Sequence, residues 1–107
     1  HPTVVFTERT DKAKCINNVI QHKLDFSGDI LDGIMNHLYA NKIGSLLVEG
    51  GAQLLQSFID KDLWDEIRIE TNPGLILSNG VPAPVLPASV KKQQSNCFGN
   101  VITTISR

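Results

Sequence analysis

The pattern of apolar and polar residues predicts a chain in which strands and helices alternate. Helices are predicted over residues 30–38 and from Ala52 to residue 59 or 61, where apolar side chains recur every three to four positions. Residues 8–18 are polar and contain turn formers, which favours a loop or one irregular helical turn. Strands are predicted where short runs are β-branched or aromatic, or where apolar and polar residues alternate, at residues 3–7, 19–24, 46–48, 64–71, 90–95 and 99–106.

Local signals place the ends of these elements. Residues 25–29 contain Asp, Ser and Gly and offer N-caps for the first helix, and Gly44 is predicted to end it in the left-handed conformation. Residues 72–74, Asn-Pro-Gly, are predicted to end the preceding strand, and prolines punctuate residues 78–87, which excludes a central strand there. The last two strands are joined by residues 96–100, most simply as an antiparallel hairpin.

The predicted order of elements is β-β-α-β-α-β-loop-β-β. Strands that alternate with helices pair in parallel through right-handed crossovers, whereas the final hairpin adds antiparallel strands at an edge. The predicted fold class is therefore α/β, with a three-layer mixed sheet. Residues 1–107 contain no internal repeat and no linker long enough to divide two domains, so one domain is expected.

Composition excludes several classes of protein. Hydrophobic residues make up 41% of the 107 positions, which suits a packed core rather than disorder. A formal net charge of -1 does not indicate binding to nucleic acid or to an anionic membrane. The apolar runs are too short to span a bilayer. Cys15 and Cys97 are expected to be reduced thiols of a cytoplasmic protein, with a disulfide or a metal site as the alternative.

The candidate chemistry lies between residues 46–48 and the second helix. Glu49, Gly50 and Gly51 connect a predicted buried strand to a helix, and no charged or bulky side chain follows before Leu54. Free N–H groups at a helix N-terminus, not covered by side chains, favour binding of an anion such as a phosphate. The alternative is that Gly-Gly supplies only tight-turn geometry. Neither the GxGxxG nor the GxxxxGK[ST] motif is present.

Individual side chains allow two interpretations each. Glu49 is either an acid placed favourably at a helix N-terminus or a hydrogen-bond acceptor or proton-handling group for a substrate. His22 and His37 are expected to be solvated rather than to act as ligands, and Trp64 is expected to pack below the second helix. Ser, His and Asp occur without a nucleophile-elbow context, so no hydrolytic triad is indicated.

Two segments carry a resemblance to a known family. Residues 47–54, Leu-Val-Glu-Gly-Gly-Ala-Gln-Leu, and residues 62–67, Asp-Leu-Trp-Asp-Glu-Ile, resemble the signature of the riboflavin-biosynthesis reductases. The similarity covers residues 44–84, and the predicted elements before and after agree with it. The chain departs from the family at residues 77–80, Leu-Ser-Asn-Gly, where the family has a loop with more glycines.

The resemblance implies a dihydrofolate-reductase-like fold and an NADPH-dependent reductase. Such an enzyme reduces the ribosyl group of 5-amino-6-(5-phosphoribosylamino)uracil to a ribityl chain. Carried over by position, Glu49 would contact the substrate, and backbone amides at the helix N-terminus would hold the NADPH pyrophosphate. The cofactor-binding residues implied in this way are Gly50, Gly51, Ala52, Gln53, Leu54 and Leu55.

The resemblance also implies a longer protein. The chain opens His1-Pro2 without an initiator Met, and it is expected to be the C-terminal part of a single reductase domain that is inactive without its N-terminal strands. Fusion to an upstream zinc-dependent pyrimidine deaminase is expected, with no zinc in this chain, together with a cytoplasmic location and self-association into a homodimer. The alternatives are another dihydrofolate-reductase-like oxidoreductase or a non-catalytic nucleotide-binding module.

Overall fold

The computed structural model describes residues 2–10, 18–88 and 91–107. It divides the chain into two compact units, His1–Leu47 and Val48–Arg107. The expectation of one domain is not tested by this division and stays a prediction. The elements are β1 (Thr3–Thr7), β2 (Val19–Lys23) and α1 (Ile30–Ala40) in the first unit, and α2 (Ala52–Asp60), β3 (Glu66–Thr71), β4 (Lys91–Cys97) and β5 (Asn100–Ser106) in the second.

The first unit pairs β1 with β2 in parallel, with Thr3 opposite Val19 and Thr7 opposite Lys23. The sequence predicts parallel pairing for strands joined through helices, whereas β1 and β2 are consecutive strands, and β3, which follows α2, pairs with β5 in antiparallel orientation. Helix α1 follows and buries Leu31. Most of the predicted loop over residues 8–18 lies outside the described residues.

The second unit contains a three-stranded antiparallel sheet in the order β3-β5-β4. The central strand β5 buries Ile102 and Ile105, and α2 buries Phe58. The β4–β5 hairpin is confirmed, and its tip has Phe98 and Gly99 at positive φ, as a tight two-residue hairpin turn requires. The predicted strand start at Val90 lies outside the described residues.

The predicted strand at residues 46–48 is wrong: the structure gives these residues no strand conformation. All ladders among the described residues join β1 to β2, β3 to β5 and β4 to β5. An apolar run becomes a strand only when a neighbour accepts its backbone hydrogen bonds. These residues instead lie at the boundary between the two units, and the side chain of Leu47 is 82% exposed.

The predicted role of Gly44 is also wrong. The left-handed residue after α1 is Lys42, with φ 59°, and Gly44 does not have positive φ. Lys42 N–H donates to the carbonyl of Tyr39 at 3.0 Å and Ile43 N–H donates to that of Leu38 at 3.0 Å. These two hydrogen bonds form a Schellman motif. The motif determines which residue is left-handed, and here that residue is Lys42 and not the nearest glycine.

Helix α2 ends in the same way. Asp62 has φ 59°, and its N–H donates to the carbonyl of Ile59 at 3.0 Å. Leu63 N–H donates to the carbonyl of Phe58 at 2.9 Å. Both helices therefore place a charged, non-glycine residue in the left-handed region, followed by an apolar residue.

Candidate cofactor site at the start of helix α2

The N-terminus of α2 carries no side-chain cap. Gly51 is the N-cap residue, with φ −68° and ψ 156°, and the first turn contains no acidic side chain. Gly51 accepts from Leu55 N–H at 3.2 Å through its carbonyl. The preceding N–H groups, those of Ala52, Gln53 and Leu54, have no acceptor within the helix because of their position. They and the helix dipole give this end a partial positive charge.

Helix α1 shows the contrasting arrangement. There the carboxylate of Asp29 accepts from Asp32 N–H at 3.3 Å, and Asp32 adds a second acid in the first turn. The N-cap and first turn of α1 thus carry negative charge, whereas the N-cap and first turn of α2 carry none. Only the second helix leaves its N-terminus available to an external anion.

The two glycines keep the approach to this turn open. A Cβ added at Gly51 would meet nothing within 4 Å, and one added at Gly50 would lie 3.2 Å from Cδ2 of Leu54. The backbone at Gly51 is therefore open to a ligand, whereas the side chain of Leu54 narrows the space beside Gly50. A diphosphate, which needs close access to backbone amides, fits this geometry.

Glu49 precedes the glycines and is exposed. Within the described part of the chain, its carboxylate makes no hydrogen bond or ion pair. The side chain is therefore not used to cap α2 from within the protein. This leaves its oxygens accessible to a ligand held at the same helix end.

The sequence did not reveal the part played by Gln56. The side-chain Oε1 accepts from Val85 N–H at 2.7 Å, and Nε2 donates to the Val85 carbonyl at 3.3 Å. The same Nε2 donates to Asp60 Oδ1 at 2.7 Å. Residue 85 is therefore held against α2. A glutamine in an amphipathic helix gives no signal of a partner 29 residues further along the chain.

Comparison with known families assigns the chain to a family. The family model described as the RibD C-terminal domain matches residues 1–97. The chain belongs to the RibD C-terminal domain family. Domains of this family are reductase-type domains of riboflavin biosynthesis.

A solved structure supports the assignment. The chain is similar to a crystal structure of a protein from Shewanella sp. PV-4 that has a provisional assignment to riboflavin biosynthesis, with 26% identity and a TM-score of 0.67. The match covers 99% of this chain and 60% of the Shewanella chain. No curated protein matches the chain. The similarity confirms the predicted mixed α/β fold, which is consistent with a dihydrofolate-reductase-like fold.

His22 and His37 are only partly solvated, and their rings lie against each other and against Phe6. The ring of His22 lies 4.1 Å from that of His37 and 5.7 Å from that of Phe6, between ring centroids. His37 and Phe6 are 5.3 Å apart in an edge-to-face arrangement, and all three side chains are half-buried. Phe6 and His22 are register partners in β1 and β2, a proximity that only strand pairing sets.

The described residues contain neither a candidate metal site nor a candidate membrane span. No group of three or more His, Cys, Asp or Glu side chains among them is placed to hold a metal ion. No helix among them is long and apolar enough to cross a membrane. Cys97 is free and exposed, and Cys15 lies outside the described residues.

Proposed function

We propose that this chain is the cofactor-holding part of an NADPH-dependent reductase of riboflavin biosynthesis. The substrate is 5-amino-6-(5-phosphoribosylamino)uracil, whose ribosyl group is reduced to ribityl. The observation that carries the proposal is the uncapped α2 N-terminus behind Gly50 and Gly51, in a chain of the RibD C-terminal domain family. NADPH, when bound, supplies the hydride.

In this proposal the residues of the chain bind NADPH and orient it. The N–H groups of Ala52, Gln53 and Leu54 donate to the pyrophosphate, and Gly50 and Gly51 let it approach the backbone. Leu55 continues the same helix and is half-buried. Fixing the cofactor in this way sets where the nicotinamide and the substrate meet, which is the main contribution a protein makes to hydride transfer.

Glu49 contacts the substrate in this proposal. Its exposed carboxylate directly precedes the cofactor-binding glycines, so an acceptor for a ribosyl hydroxyl or ring N–H lies beside the phosphate site. Hydrogen bonds to a charged group contribute about 1.5–3 kcal/mol. Replacing Glu49 is therefore expected to weaken binding of the substrate more than binding of NADPH.

The proposal extends to the full-length protein. There we expect a cytoplasmic enzyme, a homodimer, and an upstream deaminase that alone contains zinc. The short Leu77-Ser78-Asn79-Gly80 loop is exposed and lies in the segment that the family uses on the substrate side.

Titration and kinetics of the full-length protein test the function. NADPH is expected to bind, and Glu49→Gln is expected to retain NADPH affinity while lowering kcat/KM for the pyrimidine about ten- to hundredfold. Glu66→Gln is the matched control, because Glu66 is an exposed acid on β3. Absence of NADPH binding would contradict the proposal. Binding without turnover would favour a non-catalytic nucleotide-binding module.

A further inference from the structure

Gln56 makes a two-point contact with the backbone of Val85. One amide atom accepts the N–H at 2.7 Å and the other donates to the carbonyl at 3.3 Å. A neighbouring β-strand would satisfy the same two backbone groups. The glutamine thus replaces a strand partner for a single residue, and its Nε2 is also bonded to Asp60, which fixes the rotamer.

The segment that receives this contact has no regular secondary structure to fix its position. Residues 81–87 form neither helix nor strand, and Pro82, Pro84 and Pro87 have no backbone N–H to donate. The Val85 side chain is 75% exposed, whereas the neighbouring side chains of residues 84 and 86 are half-buried. The prolines favour an extended backbone, and the hydrogen bonds of Gln56 join that extended segment to α2.

The contact lies close to the candidate cofactor site. Gln56 follows Ala52 by four residues, which is one helical turn and about 6 Å along the axis. Side chains on a helix lean towards its N-terminus, so the surface that Gln56 covers is over the turn formed by residues 52–55. Val85 therefore lies alongside α2, within about two helical turns of its N-terminus.

We propose that Gln56 positions residues 81–87 as a side wall of the cofactor site. The wall limits the space from which a phosphate group approaches the amides of Ala52 and Gln53. Gln56 is a positioning residue, since it acts through the backbone of Val85. This inference rests on the proposed function, because it assigns a new element to the same site.

The test uses the full-length protein and a near-isosteric substitution. Gln56→Met keeps the side-chain volume and removes both hydrogen-bonding groups, and Gln93→Met makes the same change at an exposed position of β4. We expect faster amide exchange over residues 81–87, unchanged exchange within α2, and about three- to tenfold weaker NADPH binding for Gln56→Met. Gln93→Met should match the wild type in all three measurements.

A second variant addresses the contact from its other side. Val85→Pro removes the N–H that Gln56 accepts and leaves the helix sequence intact, and it should weaken NADPH binding by a similar factor. Unchanged NADPH affinity in both variants, with a wild type that binds, would overturn the wall alone. Faster exchange throughout α2 in Gln56→Met would also overturn it in favour of a purely structural role. A wild type that does not bind NADPH would overturn the proposed function and the wall together.

Discussion

The guanidinium of Arg107 lies over the indole ring of Trp64, with Cζ 5.1 Å from the ring centroid. The same guanidinium pairs with the carboxylate of Asp62 and donates to the Asp62 carbonyl at 2.6 Å. The backbone N–H of Arg107 donates to the carbonyl of Asp65 at 3.4 Å. The last residue of the chain therefore holds the connection between α2 and β3, although it lies beyond the residues that the family model matches.

Arg107→Ala is expected to lower the free energy of unfolding by about 1–2 kcal/mol, since it removes a cation–π contact and a hydrogen bond. The ion pair adds little, because the side chains of Arg107 and Asp62 are 44% and 78% exposed. Urea denaturation of the 107-residue chain, followed by the fluorescence of its single tryptophan, measures the change. The stability of Arg107→Lys should lie between those of the wild type and Arg107→Ala. If Arg107→Lys is only as stable as Arg107→Ala, the positive charge contributes nothing to stability.

Lys42→Gly is expected to raise stability by about 0.5–1 kcal/mol, because glycine adopts the left-handed conformation without the Cβ penalty. Gly44→Ala is the paired test. Gly44 is not left-handed, and a Cβ there meets nothing within 4 Å, so alanine should be neutral or slightly stabilising. Thermal unfolding of both variants measures this. A destabilising Gly44→Ala would show that Gly44, and not Lys42, needs positive φ.

Gly51→Asp should change stability and cofactor binding in opposite directions. An aspartate at the N-cap caps α2 and interacts with its dipole, which should stabilise the helix by about 0.5 kcal/mol. The same carboxylate would repel a bound phosphate and lower NADPH affinity at least about tenfold. Calorimetry and NADPH titration of the full-length protein separate the two effects.

Gly51→Ser is the control for this substitution, because it offers a cap without adding charge. It should retain most of the NADPH affinity. Equal NADPH affinity in Gly51→Asp and the wild type would show that the α2 N-terminus is not part of the cofactor site.

Hydrogen bonds from Ser27 lower the pKa of Asp25 below its usual value. Ser27 Oγ and N–H donate to Asp25 Oδ1 at 2.6 and 2.9 Å. Because the folded-state pKa is lowered, this interaction favours folding above the pKa of the unfolded state, and its contribution is lost as pH falls through the folded pKa. Ser27→Ala should raise the pKa of Asp25 in an NMR titration. Ser45→Ala, at an exposed serine in the same unit, should leave it unchanged.

Much of the secondary structure follows from local pattern. The predicted helix over residues 30–38 is observed as Ile30–Ala40, and that from Ala52 as Ala52–Asp60, because an apolar stripe at helical spacing needs only one face to pack. The predicted alternation of Ile67 and Ile69 against Arg68 is observed in β3. In each case the periodicity that predicts the element lies within the element itself.

Some features of the candidate site are also visible in the sequence, and others are not. Gly50, Gly51 and the uncapped turn after them are visible in the sequence, because a cap is a local choice of residue. The wall at Val85 is not visible, because the contact with Gln56 joins residues that are distant in the chain. Whether Glu49 and residues 50–55 bind substrate and NADPH stays a prediction until the titrations are done.

The sequence by itself determined both helices, the cap offered by residues 25–29, the bare start of α2, the final hairpin and the family resemblance, since each depends on residues within a few positions of one another. Only the tertiary structure decided that residues 46–48 form no strand, that His22 meets His37, and that Arg107 closes over Trp64. Strand partners and long side-chain contacts depend on which distant segments come together. That choice is made by the packing of the whole unit, and no local window of the sequence contains it.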